Sequence, residues 1–227
     1  IANIDQAKFD KFKSAVVPPM MWDTASNSTG TIESCLGDVF TSHYDATRAR
    51  VYAGHDAASA EVLLVGDSYT HGDEVADDNT VAAHVCARHR VRAANLGIGG
   101  YSPLQAVLKA KRSLGDFPSA RVVVLGVMHE NIRRTANSYV IAINPDLGGI
   151  FGMRPYVIAD TVHLVPTSAY DNLEAFQRYA IHSLDTDFWR AEELRFPYSL
   201  SALRVVNSSS FRLRWGARLL KLFKRQY

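Results

Sequence analysis

Three short apolar runs rich in β-branched residues, Val62 to Val65, Val91 to Leu96 and Arg121 to Val127, are separated by segments of helical periodicity. Asn79 to His89 predicts a helix with Val81, Val85 and their neighbours on one face. Pro103 to Leu114 predicts another, carrying Leu104, Val107, Leu108 and Lys111. Strand and helix alternating at a spacing of about 30 residues is the βαβαβ pattern of a parallel sheet with covering helices. In such sheets ligands bind just beyond the carboxyl ends of the strands.

Each run ends in a polar or glycine-rich loop. The first delivers Gly66-Asp67-Ser68, the second "NLGIGGYS" (Asn95 to Ser102) and the third "GVMHENIRR" (Gly126 to Arg134), so all three loops are expected on one rim. The chain has 227 residues, 47% hydrophobic and 21% charged, which fits a sizeable globular core and no need of a disulfide scaffold. No apolar run approaches the roughly 20 residues that span a bilayer. A start at Ile1 rather than Met reads as a processed or trimmed chain, so the sequence assigns no compartment, and it assigns no oligomeric state. Cys35 and Cys86 stand in no metal-binding spacing; two free thiols and a Cys35–Cys86 disulfide are both open.

Three segments follow from the pattern. Residues 1–60 read as an N-terminal extension, with a short amphipathic helix over 3–15 ended by Pro18-Pro19 and a loop-like remainder. Residues 61–137 form the α/β core. Residues 138–227 hold a hairpin, "RPYVIADTVHLVP", turning at Asp160-Thr161, a helix around Tyr170 to His182, and a basic amphipathic helix over 211–225. Charge divides unevenly: residues 1–193 carry 17 bases and 23 acids, a formal −6, whereas the tail beyond Glu193 carries eight Lys or Arg and no acid. The apolar arc of that tail (Phe211, Trp215, Leu219, Leu222, Phe223) packs on its own domain in the commoner use of such a stretch, and the alternative is contact with an anionic membrane or a partner. Basic and aromatic residues interleave nowhere else, which speaks against nucleic acid.

The three loops carry a resemblance. "VGDSYT" and "NLGIGGYS" resemble the first two blocks of the SGNH (GDSL-like) hydrolases over roughly Glu61 to Asn137, and "LGVMHENIRR" is similar to the third. The resemblance implies a flavodoxin-like α/β sandwich with a parallel sheet and makes Ser68 the nucleophile. It makes Gly100 the donor of an oxyanion-hole amide and Asn131 the side-chain oxyanion donor. Glu130 and an extended spacing depart from the family's Gly-x-Asn-Asp; a Glu-Asn-Ile-x-Arg version resembles bacterial members linked to surface polysaccharides. Read from chemistry alone, ester cleavage needs an activated hydroxyl and donors fixed on the developing oxyanion, and glycine at position 100 admits close approach of the backbone. The structural alternatives are a loop serine at 68, a bare tight turn at Gly97 to Gly100, and a helix cap at Asn131.

The family's general base comes from a C-terminal D-x-x-H. Asp160 to His163 is the one such match, but it lies in the hairpin, and His71 and His129 read as cleft-lining or surface residues. The expectation is therefore that the true base and further strands belong to a C-terminal part beyond these residues. Arg133-Arg134 read either as holders of an anionic or sugar substrate or as a solvated helix start. Asp73, Glu74, Asp77 and Asp78 read as acids favouring a helix N-terminus rather than metal ligands. The expected activity is a cofactor-free, metal-free ester hydrolase or acyl transferase acting on small acyl esters, the resemblance implying acetylated carbohydrate. The reading from a different class is a non-catalytic carbohydrate-binding or scaffold protein on the same fold.

Overall fold

The computed structural model of the chain describes residues 4–34, 36–138 and 152–186. The basic segment 211–225 and Cys35 lie outside them, and Cys86 carries a free, half-buried thiol. Helix α1 (Gln6–Ser14) opens on Asp5, whose carboxylate accepts the Lys8 amide at 2.8 Å, and it buries Phe9 and Phe12. The remainder up to Ala60 is not simply loop. Ser28–Glu33 (β1) and Val39–Tyr44 (β2) form an antiparallel hairpin in register from Ser28↔Tyr44 to Glu33↔Val39. Its alternation escapes a hydropathy reading because Ser, Thr and Gly occupy most positions of β1, and its residues stay exposed or half-buried except Ser42. The hairpin is fastened to the core through Arg50, whose amide donates to the Asn95 carbonyl at 2.8 Å.

The core follows the expected alternation. β3 (Val62–Val65) leads into a single helical turn, α2 (Ser68–His71); α3 (Val81–His89) leads to β4 (Ala93–Asn95), and α4 (Pro103–Ser113) to β5 (Val122–Leu125). The three strands form a parallel sheet in the order β4-β3-β5, with Leu63 opposite Ala94 on one side and Val123 on the other. Side chains alternate along β3 and divide the interior between two faces. Leu63 and Val65 join Ala94, Leu96, Ala106 and Ala110 on the α4 face, and Leu64 meets Tyr52, Ala82, Ala83 and Ala93 on the α3 face. The molecule is thus mixed α/β, with helices on both faces of a parallel sheet.

The helices bury faces that hydropathy did not point to. α3 turns Ala82 and Ala83 inward and leaves Val81 53% exposed. α4 buries Gln105, Ala106, Lys109, Ala110 and Ser113, while Val107 and Lys111 are exposed. The reason is non-local. Gln105 donates to the Met20 carbonyl at 2.7 Å, and the Lys109 ammonium pairs with Asp23, so the segment after α1 supplies polar partners that make a polar face burial-competent. All of β5 remains exposed, from 39% at Leu125 to 50% at Val122, which makes it the uncovered edge of the sheet among the described residues.

After α5 (Ile132–Thr135), strands β6 (Tyr156–Ile158) and β7 (Thr161–His163) make the expected hairpin. Its two turn residues are Ala159 and Asp160, both at positive φ (46° and 61°), and Thr161 already pairs with Ile158; the turn lies one residue earlier than the sequence suggested. Helix α6 (Leu173–Thr186) follows, and its Phe176 packs on Phe9, Phe12 and Tyr170 with ring centroids 5.2–5.8 Å apart. The main cluster therefore contains residues from all three sequence segments.

Candidate functional site

Val65 ends β3, and the next residues must turn sharply to begin α2. Asp67 is the N-cap: it is extended, and its Oδ1 accepts the Tyr69 amide at 2.9 Å. Ser68 is then the first helical residue, half-buried, with Tyr69 68% exposed beside it. The turn is pressed onto the ends of all three strands. A Cβ on Gly66 or Gly126 would stand 2.0 or 2.3 Å from Thr70 Oγ1, and one on Gly97 would stand 2.3 Å from the His71 amide nitrogen. Three glycines, one from each strand end, therefore let α2 sit where it does.

The second loop is held from above and below. Asn95 donates to the His71 carbonyl at 3.1 Å and accepts the Gly97 amide at 3.1 Å. Trp22 Nε1 donates to the Gly99 carbonyl at 3.3 Å, and the buried Tyr101 hydroxyl donates to the Trp22 carbonyl at 2.6 Å. Burial pushes the Tyr101 phenol well above its usual range, so it remains a neutral donor. Gly100 adopts φ 77°, a conformation that favours glycine, and its carbonyl accepts Arg154 Nη1 at 3.3 Å. Its amide, like that of Ser68, donates to no group among the described residues.

The third loop brings in Asn131, which is 3% exposed. Its side chain makes no cap to α5; Nδ2 donates instead to Asp67 Oδ2, and Oδ1 is buried with no partner. Of its neighbours, Arg133 is exposed, whereas Arg134 turns in and donates to the Tyr101 carbonyl at 3.2 Å. A narrow cleft between the loops is lined by Gly66, Asp67, Tyr101, Ser102, Gly126 and Asn131. Ser68 and Gly100 are not part of that lining. The fold thus brings the three expected loops to one rim and joins Asn131 to the Ser68 turn through Asp67, a residue that sequence reasoning did not single out. Its signal was present: an Asp directly before the first residue of a helix.

No histidine among the described residues, which include all eight in the chain, hydrogen-bonds the Ser68 hydroxyl. His71, read as cleft-lining or surface, is 3% exposed and fully engaged. Nδ1 meets Asp73 Oδ1 at 2.5 Å and Nε2 meets the Tyr44 hydroxyl at 2.7 Å. A carboxylate only accepts, so Nδ1 donates to Asp73, and Nε2 shares its hydrogen bond with the Tyr44 hydroxyl, whose phenol burial pushes upward. His163 stacks on Tyr156 with ring centroids 5.0 Å apart, Asp160 is exposed in the turn, and His129 is exposed. The acids after Ser68 are fasteners. Asp77 takes Arg50 Nε and His43 Nδ1, each at 2.6 Å, and Asp78 takes the Ala53 amide at 2.6 Å. The rest of the buried Arg50 guanidinium donates to the carbonyls of His71, Gly72 and Val75 at 2.6–2.8 Å, pinning the loop that follows α2. No group of three or more His, Cys, Asp or Glu poised to hold a metal occurs among the described residues.

Compared with known proteins, the sequence matches no family model and no curated protein.

Proposed function

We propose that the chain is a serine-dependent ester hydrolase or acyl transferase with Ser68 as nucleophile, on a flavodoxin-like sandwich of the SGNH hydrolase type. The observation that supports this reading is the Ser68 turn itself, which stands at the end of β3 with glycines from the ends of β4 and β5 packed on it, and in which the Ser68 amide, like that of Gly100 in the second loop, has no acceptor among the described residues. Fixed, unoccupied donors beside a hydroxyl are what a tetrahedral oxyanion requires. In the reaction, Ser68 Oγ attacks the ester carbonyl and its proton passes to a general base. The oxyanion takes hydrogen bonds from the two amides and from Asn131 Nδ2, and its collapse expels the alcohol. Water, or a sugar hydroxyl in a transferase, attacks the acyl enzyme and frees Ser68. The substrate class is a small acyl ester, with acetylated carbohydrate as the natural source, and neither metal, organic cofactor nor nucleic acid takes part. Contact of the basic 211–225 segment with an anionic membrane remains secondary to this reading.

The competing reading is a carbohydrate-binding protein that keeps the cleft without hydrolysis, and one observation favours it: no histidine bonds the Ser68 hydroxyl. A fluorophosphonate probe separates the two. Labelling of the full chain that disappears in Ser68→Ala supports the hydrolase. Absent labelling, together with calorimetric binding of an acetylated oligosaccharide, supports the binding protein.

A further inference from the structure

Asp67 has two carboxylate oxygens and uses them for different tasks. Oδ1 caps α2 by accepting the Tyr69 amide at 2.9 Å, and Oδ2 accepts from Asn131 Nδ2 across 64 positions of sequence. Both residues are buried, at 5% and 3% exposure, and both line the cleft between the loops. A primary amide can face a neighbour with either its oxygen or its nitrogen, and an isolated asparagine rotates between the two. Beside a carboxylate only the nitrogen can face inward, because two acceptors repel. Asn131 therefore holds this rotamer although its Oδ1 is left buried without a donor, which by itself disfavours the arrangement. One Nδ2 hydrogen is given to Asp67, and the other is left for a ligand.

Resting on the reading of Ser68 as nucleophile, we propose that Asp67 is the positioning residue of the oxyanion hole: it locks the Asn131 side chain with the amide nitrogen as the donor. The same carboxylate also sets the start of α2, so the nucleophile and its side-chain donor are referenced to one group. This links the ends of β3 and β5 at the point where the reacting oxygen has to be met by donors placed to a fraction of an ångström.

The two tasks can be separated by substitution. Asp67→Ser keeps an N-cap acceptor on a short side chain but removes the second oxygen, whereas Asp67→Ala removes both. In the full chain, the Asn131 side-chain NH₂ resonances, assigned by their absence in Asn131→Ala, should exchange slowly with solvent. In Asp67→Ser they should exchange faster on the order of 10-fold or more, with the melting temperature near that of the unaltered chain. With p-nitrophenyl acetate, Asp67→Ser should lower kcat on the order of 10- to 100-fold with KM little changed. The double variant Asp67→Ser/Asn131→Ala should be no slower than Asn131→Ala alone. Unchanged amide exchange in Asp67→Ser, or independent multiplying losses in the double variant, overturns the proposal. If the unaltered chain turns over no ester, the hydrolase reading fails, and the amide exchange then decides the lock: faster exchange in Asp67→Ser upholds it and unchanged exchange removes it.

Discussion

Gly97 is the residue at which the site tolerates least. A methyl there would meet the backbone of Thr70 and His71 at 2.3–2.8 Å, and backbone cannot swing aside as a side chain does. Gly97→Ala should therefore destabilise by about 1–3 kcal/mol, the usual range for overpacking, seen as a lower urea midpoint with an unchanged m-value. Gly100 is constrained differently, by its φ of 77°. Gly100→Ala should cost only about 1–2 kcal/mol of left-handed strain, yet slow ester turnover by more than its stability loss explains, since the amide is displaced. Asn131→Ala should reduce turnover by about 10² to 10³ while the fold persists, as expected when one oxyanion donor is removed. Near wild-type kcat in that variant would remove Asn131 from the mechanism.

At the scale of elements, α4 is the instructive case. It starts with a capping box, in which Ser102 Oγ accepts the Gln105 amide and Gln105 Oε1 accepts the Ser102 amide, and then buries a lysine. Burial pushes the Lys109 ammonium below its usual range, with the Asp23 carboxylate opposing that shift. Both side chains are at most 2% exposed, so removing one partner strands the other charge. Asp23→Ala should cost about 3–5 kcal/mol, whereas the paired replacement Asp23→Leu/Lys109→Met should be neutral or stabilising; thermal unfolding of the three proteins tests this. The pair also bears on the site. The strand of chain from Met20 to Asp23 holds α4 and the Gly97 to Tyr101 loop together through Gln105, Tyr101 and Trp22, so loosening it should disturb Gly100 before it unfolds the domain.

For the whole molecule, acid stability is legible in one carboxylate. Burial acts to raise the Asp45 pKa, but hydrogen bonds from Thr47, His55 and the Ala49 amide outweigh it and hold the carboxyl below the usual range. A carboxylate with a depressed folded-state pKa contributes stability above its unfolded value, about 3.9, and loses it as pH falls through the lower folded value. The urea midpoint should accordingly fall on acidification below about pH 4, and Asp45→Asn should flatten that part of the profile. A profile of identical slope in the variant would assign the acid sensitivity to other groups. The packing of α6 on α1 gives the complementary test. Phe176 is fully buried between Phe9, Phe12 and Tyr170, and Phe176→Ala should cost about 3–5 kcal/mol, destabilising the Ser68 face together with the N-terminal segment because they share one cluster.

Local chemistry determined the presence of three strands with helices between them, the order of sheet and helix, and the placing of three polar loops on one rim. Each of these depends on residues within a few positions of one another, where period and turn residues carry the signal. The β1–β2 hairpin was hidden because its strands are short, polar and half-exposed, so no period stands out. The buried face of α4 was decided by Met20 and Asp23, more than 80 residues away, and no local pattern shows that a lysine has a partner. Arg50 binds three backbone carbonyls, and carbonyls have no residue identity to read. His71, read as a cleft-lining or surface residue, is instead buried, because folding places Tyr44 on one ring nitrogen and Asp73 on the other. Asp67 was legible as a cap, but its bond to Asn131 required β3 and β5 to lie side by side, and only the parallel pairing of those strands brings the two side chains together.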